Sequence, residues 1–400
     1  MQTIKIIAEL LVILLSLPAL YLFIVTLAAY LFRKEARAAN RILEIGVLIP
    51  AHNEEAGIAG TIESIHANDY PAESVKIFVI ADNCDDNTAE VARNAGATVV
   101  ERFNKDHRGK GQALDWFLKR HKELYNGLDV ITIIDADVRA DRNYLREISF
   151  SFSQPGVQAL QAYNGVSNPE AGWRPALLDA AFNVFNHLRM AGPFQLSESC
   201  VLKGNGMAFD KFLIEDTGWP CHSIVEDMEF SLLLLMNEIS VHYNPDAIVR
   251  SEMVTSGANA SSQRKRWESG RFNLVATMAF PLLRLFFSTG QIRYLVAFAE
   301  LAVPPLTLLV LLFAAASLLS LTLLHGVWNQ IIAAWWAILV FYVVSGQIQR
   351  RAGLHTWRVL VAAPFYILWK IPLYAAMAIR KKSDAWVRTK REGKSSESGK

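Results

Sequence analysis

Cysteine is scarce in this 400-residue chain: Cys84, Cys200 and Cys221 stand far apart, with no CxxC pair. That argues against a disulfide scaffold or a structural zinc site and suits a reducing compartment. Charge of either sign is scarce too. Charged residues make up 20% of the chain and the net charge is +2, so bulk electrostatics give no reason to expect nucleic acid as a partner. Two phosphate-binding signatures are missing. No GxGxxG opens a helix after the first strand, which argues against a dinucleotide fold. The stretch "RGKGQAL" lacks the leading glycine of a P-loop, where Asn104 stands, and has no Ser or Thr after Lys110.

What is abundant is apolar sequence, 52% of the residues, and it is unevenly spread. From Ile4 to Phe32 it is nearly continuous, interrupted by Lys5, Glu9 and Pro18. That run is too long for the core of a signal peptide and no small-residue cleavage site follows, so a membrane helix is expected. Arg33, Lys34, Arg37 and Arg41 behind it should stay cytoplasmic. Val296–Leu324, with Pro304-Pro305 near its start, and Val327–Gly346 are two further candidate spans, joined by "HGVWNQ". The basic "QRRAGLHTWR" then returns the chain to the cytoplasm, giving three crossings. Phe272–Phe287 and Val359–Ile379, the latter with Lys370 between Pro364 and Pro372, suit helices lying in the interface. The tail "EGKSSESGK" has the composition of a disordered segment. The expected division is 1–41 for the first span and its basic flank, 42–271 for a cytoplasmic domain, 272–380 for interfacial and spanning helices, and 381–400 for a basic tail.

Residues 42–271 read as α/β. Expected strands are Ile45–Ile49, Val75–Ala81, Thr98–Glu101, Val130–Asp135 and Val157–Tyr163. Helical stretches at Glu55–Ala67, Asn87–Ala95, Lys110–Leu124 and Asp141–Phe152 alternate with them, which implies a mostly parallel sheet. Ligands of such sheets bind beyond the carboxyl ends of the strands. Three strands end there in acids: "VLIPAHNEE", "IFVIADNCDDNT" and "ITIIDADV". Asp135 and Asp137 lie two apart, and on a strand such residues share a face. Paired carboxylates of this kind suit Mg²⁺ or Mn²⁺ shared with substrate phosphates, although the spacing alone serves turns and caps as well. "SIVE", Ser223 to Glu226, reads as a capping box, which assigns Glu226 to capping and leaves Asp227 for chemistry. Gln263, Arg266 and Trp267 fall at i, i+3 and i+4, one face of a helix, where a guanidinium and an indole would line one wall.

Taken in order, "VLIPAHNEE", "ADNCDDNT", "DAD", "VED" and "QRKRW" resemble glycosyltransferase family 2, the GT-A-fold enzymes that include cellulose, chitin and hyaluronan synthases. The resemblance covers roughly residues 45–271. It implies that Asp82 contacts the nucleotide base, with Asn53 and Glu54 beside it. Asp135 and Asp137 would hold the metal and donor diphosphate, Lys110 would lie near that diphosphate, and Asp227 would be the catalytic base. Gln263 and Arg266 would face the diphosphate and Trp267 the acceptor. "AWVRTKRE" loosely resembles a nucleotide-covering loop of cellulose synthases, making Arg388, Thr389 and Lys390 a candidate lid. "LKGNGMAF" departs from the Phe-Cys-Gly pattern of those synthases. The implied activity is inverting transfer from a nucleotide-diphosphate sugar, UDP by resemblance, to a glycan or lipid-linked acceptor at the inner face of a bacterial membrane. Membrane lipids are expected partners, and three spans leave room for an oligomer or an export partner. A single-sugar glycolipid transferase is the alternative. A transporter or channel subunit with a nucleotide-binding domain is a remoter one.

Overall fold

The computed structural model describes residues 2–33, 41–253, 257–368 and 370–371, with backbone alone over 257–269. The chain forms two compact units. A sheet unit comprises the described residues of 34–175 and 201–270, and a helical unit those of 1–33, 176–200 and 271–381.

The sheet has eight strands: β1 Ile45–Ala51, β2 Val75–Asp82, β3 Thr98–Arg102, β4 Val130–Ile133, β5 Val138–Ala140, β6 Ala159–Val166, β7 Met207–Asp210 and β8 Val241–Ser251. Their spatial order is β3-β2-β1-β4-β7-β6-β8-β5. Strands β1 to β4 pair in parallel, as do β6 and β8, while β7 runs antiparallel to both β4 and β6. β1 and β4 are apolar almost throughout because helices cover both faces of a parallel sheet. Ile45, Val47, Ile49, Val79, Ile58, Ile62, Leu145 and Ile148 build the core between them.

The five expected strands are present, with shifted ends. β4 stops at Ile133 rather than Asp135. The Val138 amide donates to the Asp135 carbonyl at 3.2 Å, and the Thr61 hydroxyl to the Ala136 carbonyl at 2.8 Å. Asp135 and Asp137 therefore sit in a turn pinned by the neighbouring helix Ile58–His66, and the shared-face argument for a strand does not apply to them. β5, β7 and β8 were not expected. β8 carries Pro245, and its pairing with β6 jumps between Ala162↔Asn244 and Tyr163↔Ile248, a bulge that accommodates the missing N–H.

Among the described residues, four helices are long and apolar enough to cross a membrane: Gln2–Leu31, Gly270–Thr289, Leu306–Leu323 and Val327–Gln349. The expected span Val296–Leu324 is instead two helices, Ile292–Ala302 and Leu306–Leu323. Pro304 and Pro305 have no N–H to offer the carbonyls of Glu300 and Leu301, and residues before proline avoid helical geometry. Arginine supplies what the backbone lacks. The Arg271 Nη2 donates to the carbonyls of Glu300 at 2.6 Å and Val303 at 2.8 Å, and Arg189 Nη2 to that of Glu300 at 2.9 Å. The Glu300 carboxylate, 1% exposed, accepts from Arg189 Nε at 3.0 Å and from the Tyr21 hydroxyl at 3.0 Å.

Removing one partner of a buried ion pair strands the other charge. Arg189→Leu should therefore destabilise the protein by about 3–5 kcal/mol. Thermal unfolding in detergent should show much of that loss recovered in the double variant Arg189→Leu/Glu300→Leu. Equal unfolding temperatures for single and double variants would mean the pair is not coupled.

Candidate active site

The parallel register brings the carboxyl ends of β1, β2 and β4 to one edge. Asn53, after β1, and Asn83, after β2, both have left-handed backbone, which asparagine tolerates well. The Asn53 amide engages Asp85 in both directions: its Oδ1 accepts from the Asp85 amide at 2.9 Å and its Nδ2 donates to the Asp85 carboxylate. The Glu54 amide donates to the Thr88 hydroxyl at 2.7 Å. Asp82 is buried, ion-paired with the equally buried Arg102, and accepts from Asn83 Nδ2 at 2.9 Å. Burial pushes its carboxyl above the ordinary aspartate range, against the opposing pull of Arg102 and Asn83. The His52 ring bonds to the Asp82 carbonyl at 2.7 Å. The two loops are thus stitched together before any ligand arrives.

Lys110 lies at the centre. It opens the helix Lys110–Arg120, behind Gly109 at φ +114°. Its ammonium bonds to Asp135 Oδ1 at 2.6 Å and also donates to the Gly204 carbonyl. The other oxygen of Asp135 accepts from Asn205 Nδ2 at 2.9 Å. A Cβ placed on Gly204 would meet Asp227 Oδ2 at 3.1 Å, so the glycine lies directly against that carboxylate. Asp227 Oδ1 accepts from the Met228 amide at 2.8 Å. A Cβ on Gly111 would stand 2.4 Å from the Cys221 carbonyl, so the chain leading to Asp227 packs on the lysine's own helix, backbone to backbone.

The helix of "VEDMEF" starts at Glu226, with Val225 at its N-cap and no side-chain cap bond. The capping assignment for Glu226 therefore fails. Its carboxyl lies in the field of Asp227, Lys110 and Asp135 instead. A local capping rule yields here to burial, to the adjacent Asp227 and to charges brought in from two other segments. Burial and the adjacent Asp227 push Glu226 up to about 8. Burial raises Asp227 as well, opposed by the Met228 amide and by Lys110. Burial alone would favour loss of the Lys110 proton, but Asp135, Glu226 and Asp227 more than offset it and raise its pKa.

Of the residues singled out in the sequence, Lys110, Asp135 and Asp227 come together, Asp137 is half-buried in the same turn as Asp135, and Asn53, Glu54 and Asp82 share the strand edge. Gln263, Arg266 and Trp267 lie on the helix Gly257–Thr289, which agrees with their common-face spacing, but their side chains are outside the described residues. Arg388, Thr389 and Lys390 are outside them too. Sequence reasoning missed Asn205 and Gln161; the glycines flanking Asn205 in "KGNG" were the one available signal.

Among the described residues no group of three or more His, Cys, Asp or Glu side chains is arranged to hold a metal. The donor set still fits a hard divalent ion shared with a diphosphate. Such ions need one or two protein carboxylates and keep several waters. Asp137 would supply one, and Asp135, although bonded at both oxygens, retains further lone pairs.

An α/β sheet with acids gathered at its carboxyl edge is the architecture of a GT-A glycosyltransferase. Residues 43–270 match the profile of glycosyltransferase like family 2, and the chain belongs to that family. β-Monoglucosyldiacylglycerol synthase of Synechocystis sp. is 23% identical over 237 residues, 57% of this chain and 48% of that protein. 4,4'-Diaponeurosporenoate glycosyltransferase of Staphylococcus haemolyticus is 28% identical over 181 residues, 43% of this chain and 44% of that protein. The chain spans about half the length of the curated relatives it matches. Mannosyltransferase PcManGT of Pyrobaculum calidifontis, solved in complex with GDP-Man and Mn²⁺, aligns with a TM-score of 0.57 at 18% identity, covering 86% of this chain and 98% of that one. That likeness establishes the fold.

Raised carboxyl pKa values give the site a pH signature. The folded state favours protonated Glu226, so that stabilisation is complete below about 4.3, the unfolded value of a glutamate. It is lost as pH rises through about 8. Glu226→Gln should accordingly unfold at a temperature close to wild type at about pH 5 and at a higher one at about pH 9. A difference independent of pH would refute the raised pKa.

Proposed function

We propose that this protein is a membrane-bound inverting glycosyltransferase, moving a sugar from a nucleotide-diphosphate donor, a UDP-sugar, to a hydroxyl of a lipid or lipid-linked acceptor. The observation that carries the reading is the meeting of Lys110, Asp135 and Asp227 at the carboxyl edge of the sheet. In one displacement the acceptor oxygen bonds to the sugar's anomeric carbon, the bond from that carbon to the diphosphate breaks, and the acceptor proton passes to a base. Two adjacent half-buried carboxyls do not both ionise readily, and Glu226 is pushed up to about 8. The role of base is assigned to its neighbour Asp227, whose Oδ2 lies against Gly204. Asn53, Glu54 and Asp82 are assigned to the nucleoside end of the donor. Gln263 and Arg266 are assigned to the diphosphate, and Trp267 to the acceptor. Mg²⁺ or Mn²⁺, held by Asp137 and Asp135, would neutralise charge on the leaving diphosphate.

The names of two relatives support the lipid reading: a glucosyldiacylglycerol and a diaponeurosporenoate glycoside each have one sugar on a hydrophobic body. A single addition to a lipid is therefore favoured over polymer synthesis.

The arginine contacts support a three-crossing membrane topology. Arg271 bonds to the Glu300 and Val303 carbonyls, so the segment from 271 to 303 begins and ends at one level. Its returning helix, Ile292–Ala302, has 11 residues and a length of about 16 Å, too short to recross a core of about 30 Å. Gly270–Thr289 thus makes no net crossing. Gln2–Leu31, Leu306–Leu323 and Val327–Gln349 would make three, which would return residues 350–368 to the cytoplasm.

Two experiments test these readings. Nucleoside diphosphate release by detergent-purified protein, over a panel of UDP-sugars with Mn²⁺ or Mg²⁺ and native lipid extract, should show one preferred donor. Asp137→Ala and Asp227→Asn should each lower turnover by about 100-fold or more; no donor turned over, or unchanged variants, would sink the reading. In a cysteine-free background, an impermeant maleimide should label Gln291→Cys only in inverted vesicles and His325→Cys only in right-side-out ones. Labelling of both from the same side would overturn the three-crossing topology.

A further inference from the structure

Gln161 and Asn205 have no task in the chemistry proposed above, yet Asn205 holds Asp135, and Gln161 secures the loop whose Gly204 lies against Asp227. The Asn205 side chain closes a two-bond ring with Asp135: Oδ1 accepts from the Asp135 amide at 2.8 Å, and Nδ2 donates to Asp135 Oδ2 at 2.9 Å. Lys110 takes the other oxygen. Both carboxylate oxygens and the backbone of Asp135 are therefore held, and the group cannot turn. Asn205 is secured in its own right. Its carbonyl accepts from Gln161 Nε2 at 2.7 Å, and Gln161 Oε1 accepts from the Lys203 amide at 2.8 Å. Gln161 lies on β6 at 1% exposure, where an unsatisfied amide would cost dearly; its Nε2 bonds a second time, to the Ala162 carbonyl at 2.7 Å.

The loop these amides shape is narrow. Gly204 and Gly206 flank Asn205 at φ +80° and +66°. Ile133 and Ala162 clamp the Gly206 peptide, at 3.0 and 2.9 Å. One side of the loop bears on Asp135 and the other, at Gly204, lies against Asp227. A loop staple with no bearing on catalysis would have served with any satisfied amide. Here the donated bond falls on the one oxygen of Asp135 that Lys110 leaves, so the staple and the carboxylate's orientation are the same interaction.

We infer that Asn205, backed by Gln161, is a positioning residue that fixes the Asp135 carboxylate and the Asp227 carboxylate relative to each other, and so keeps departure from the donor in register with deprotonation of the acceptor. The inference rests on the transferase reading. Loss of register should damage transfer to the acceptor more than hydrolysis of the donor by water, because water needs no placed partner. The test is nucleoside diphosphate release by the full chain with acceptor lipid present and absent, alongside glycolipid formation and unfolding temperature. For Asn205→Ala, transfer should fall by roughly 10- to 100-fold. Hydrolysis should fall less, so that the transfer-to-hydrolysis ratio drops while the unfolding temperature moves by only a few degrees. Gln161→Met should shift the ratio in the same direction by less. If Asn205→Ala does not fold, Asn205→Ser, whose hydroxyl cannot satisfy both bonds to Asp135, is read in its place. Equal falls in transfer and hydrolysis, or an unchanged ratio, would reduce the pair to scaffolding and overturn the inference. A wild-type protein that turns over no donor would instead overturn the transferase reading, and this one with it.

Discussion

One ammonium group, that of Lys110, stands among three carboxyl groups, and the acid-bearing edge of the sheet is organised around it. Its pKa rises in spite of burial because Asp135, Glu226 and Asp227 surround it. Asp135 comes from the end of β4 and the adjacent Glu226 and Asp227 from the start of the acidic helix, so the lysine joins those two segments. The Gly204 carbonyl brings the intervening loop into the same grip. The contact between Gly111 and the Cys221 carbonyl sets the spacing by backbone alone, which makes the charge cluster a property of the fold rather than of flexible side chains.

Charge accounting then constrains what can bind. Burial and the adjacent Asp227 push Glu226 up to about 8, and three acids crowd around the one ammonium of Lys110. A diphosphate brings more of the same sign. It can settle at this edge only with added positive charge, which gives a physical reason for pairing it with a divalent ion and with the Arg266 assigned to it above. The raised pKa of Glu226 limits the repulsion that must be overcome.

The parts of this arrangement that could be read from the sequence were those with local causes. β1, β2 and β4 are buried on both faces, so their apolar runs are nearly unbroken and end visibly in acids. β7 has only four residues, and β8, although its residues alternate between buried and half-buried along its whole length, carries Pro245 in its middle, which argues against a strand when the sequence is read alone. The Val296–Leu324 reading measured apolar content, which the Pro304-Pro305 break barely changes. Asn205 reaches Asp135 across 70 residues, and no spacing rule sees that far. Glu226 shows the opposite error: a local rule fitted well, and distant charges overrode it.

The helical unit solves a matching problem with the signs reversed. A helix interrupted by two prolines leaves carbonyls without donors in an apolar surrounding, and water is not there to satisfy them. Two guanidiniums take that place, and Glu300 balances one of them. The second positive charge faces the carbonyl end of Ile292–Ala302, where the helix dipole is negative. The break is thereby fixed in place: separating Arg271 from residues 300–303 would take that donor from the Val303 carbonyl and leave the Glu300 carbonyl with Arg189 alone. The proline pair thus marks a rigid corner rather than a hinge, and Arg271, one residue beyond the Gly257–Gly270 stretch of its helix, is held at that corner.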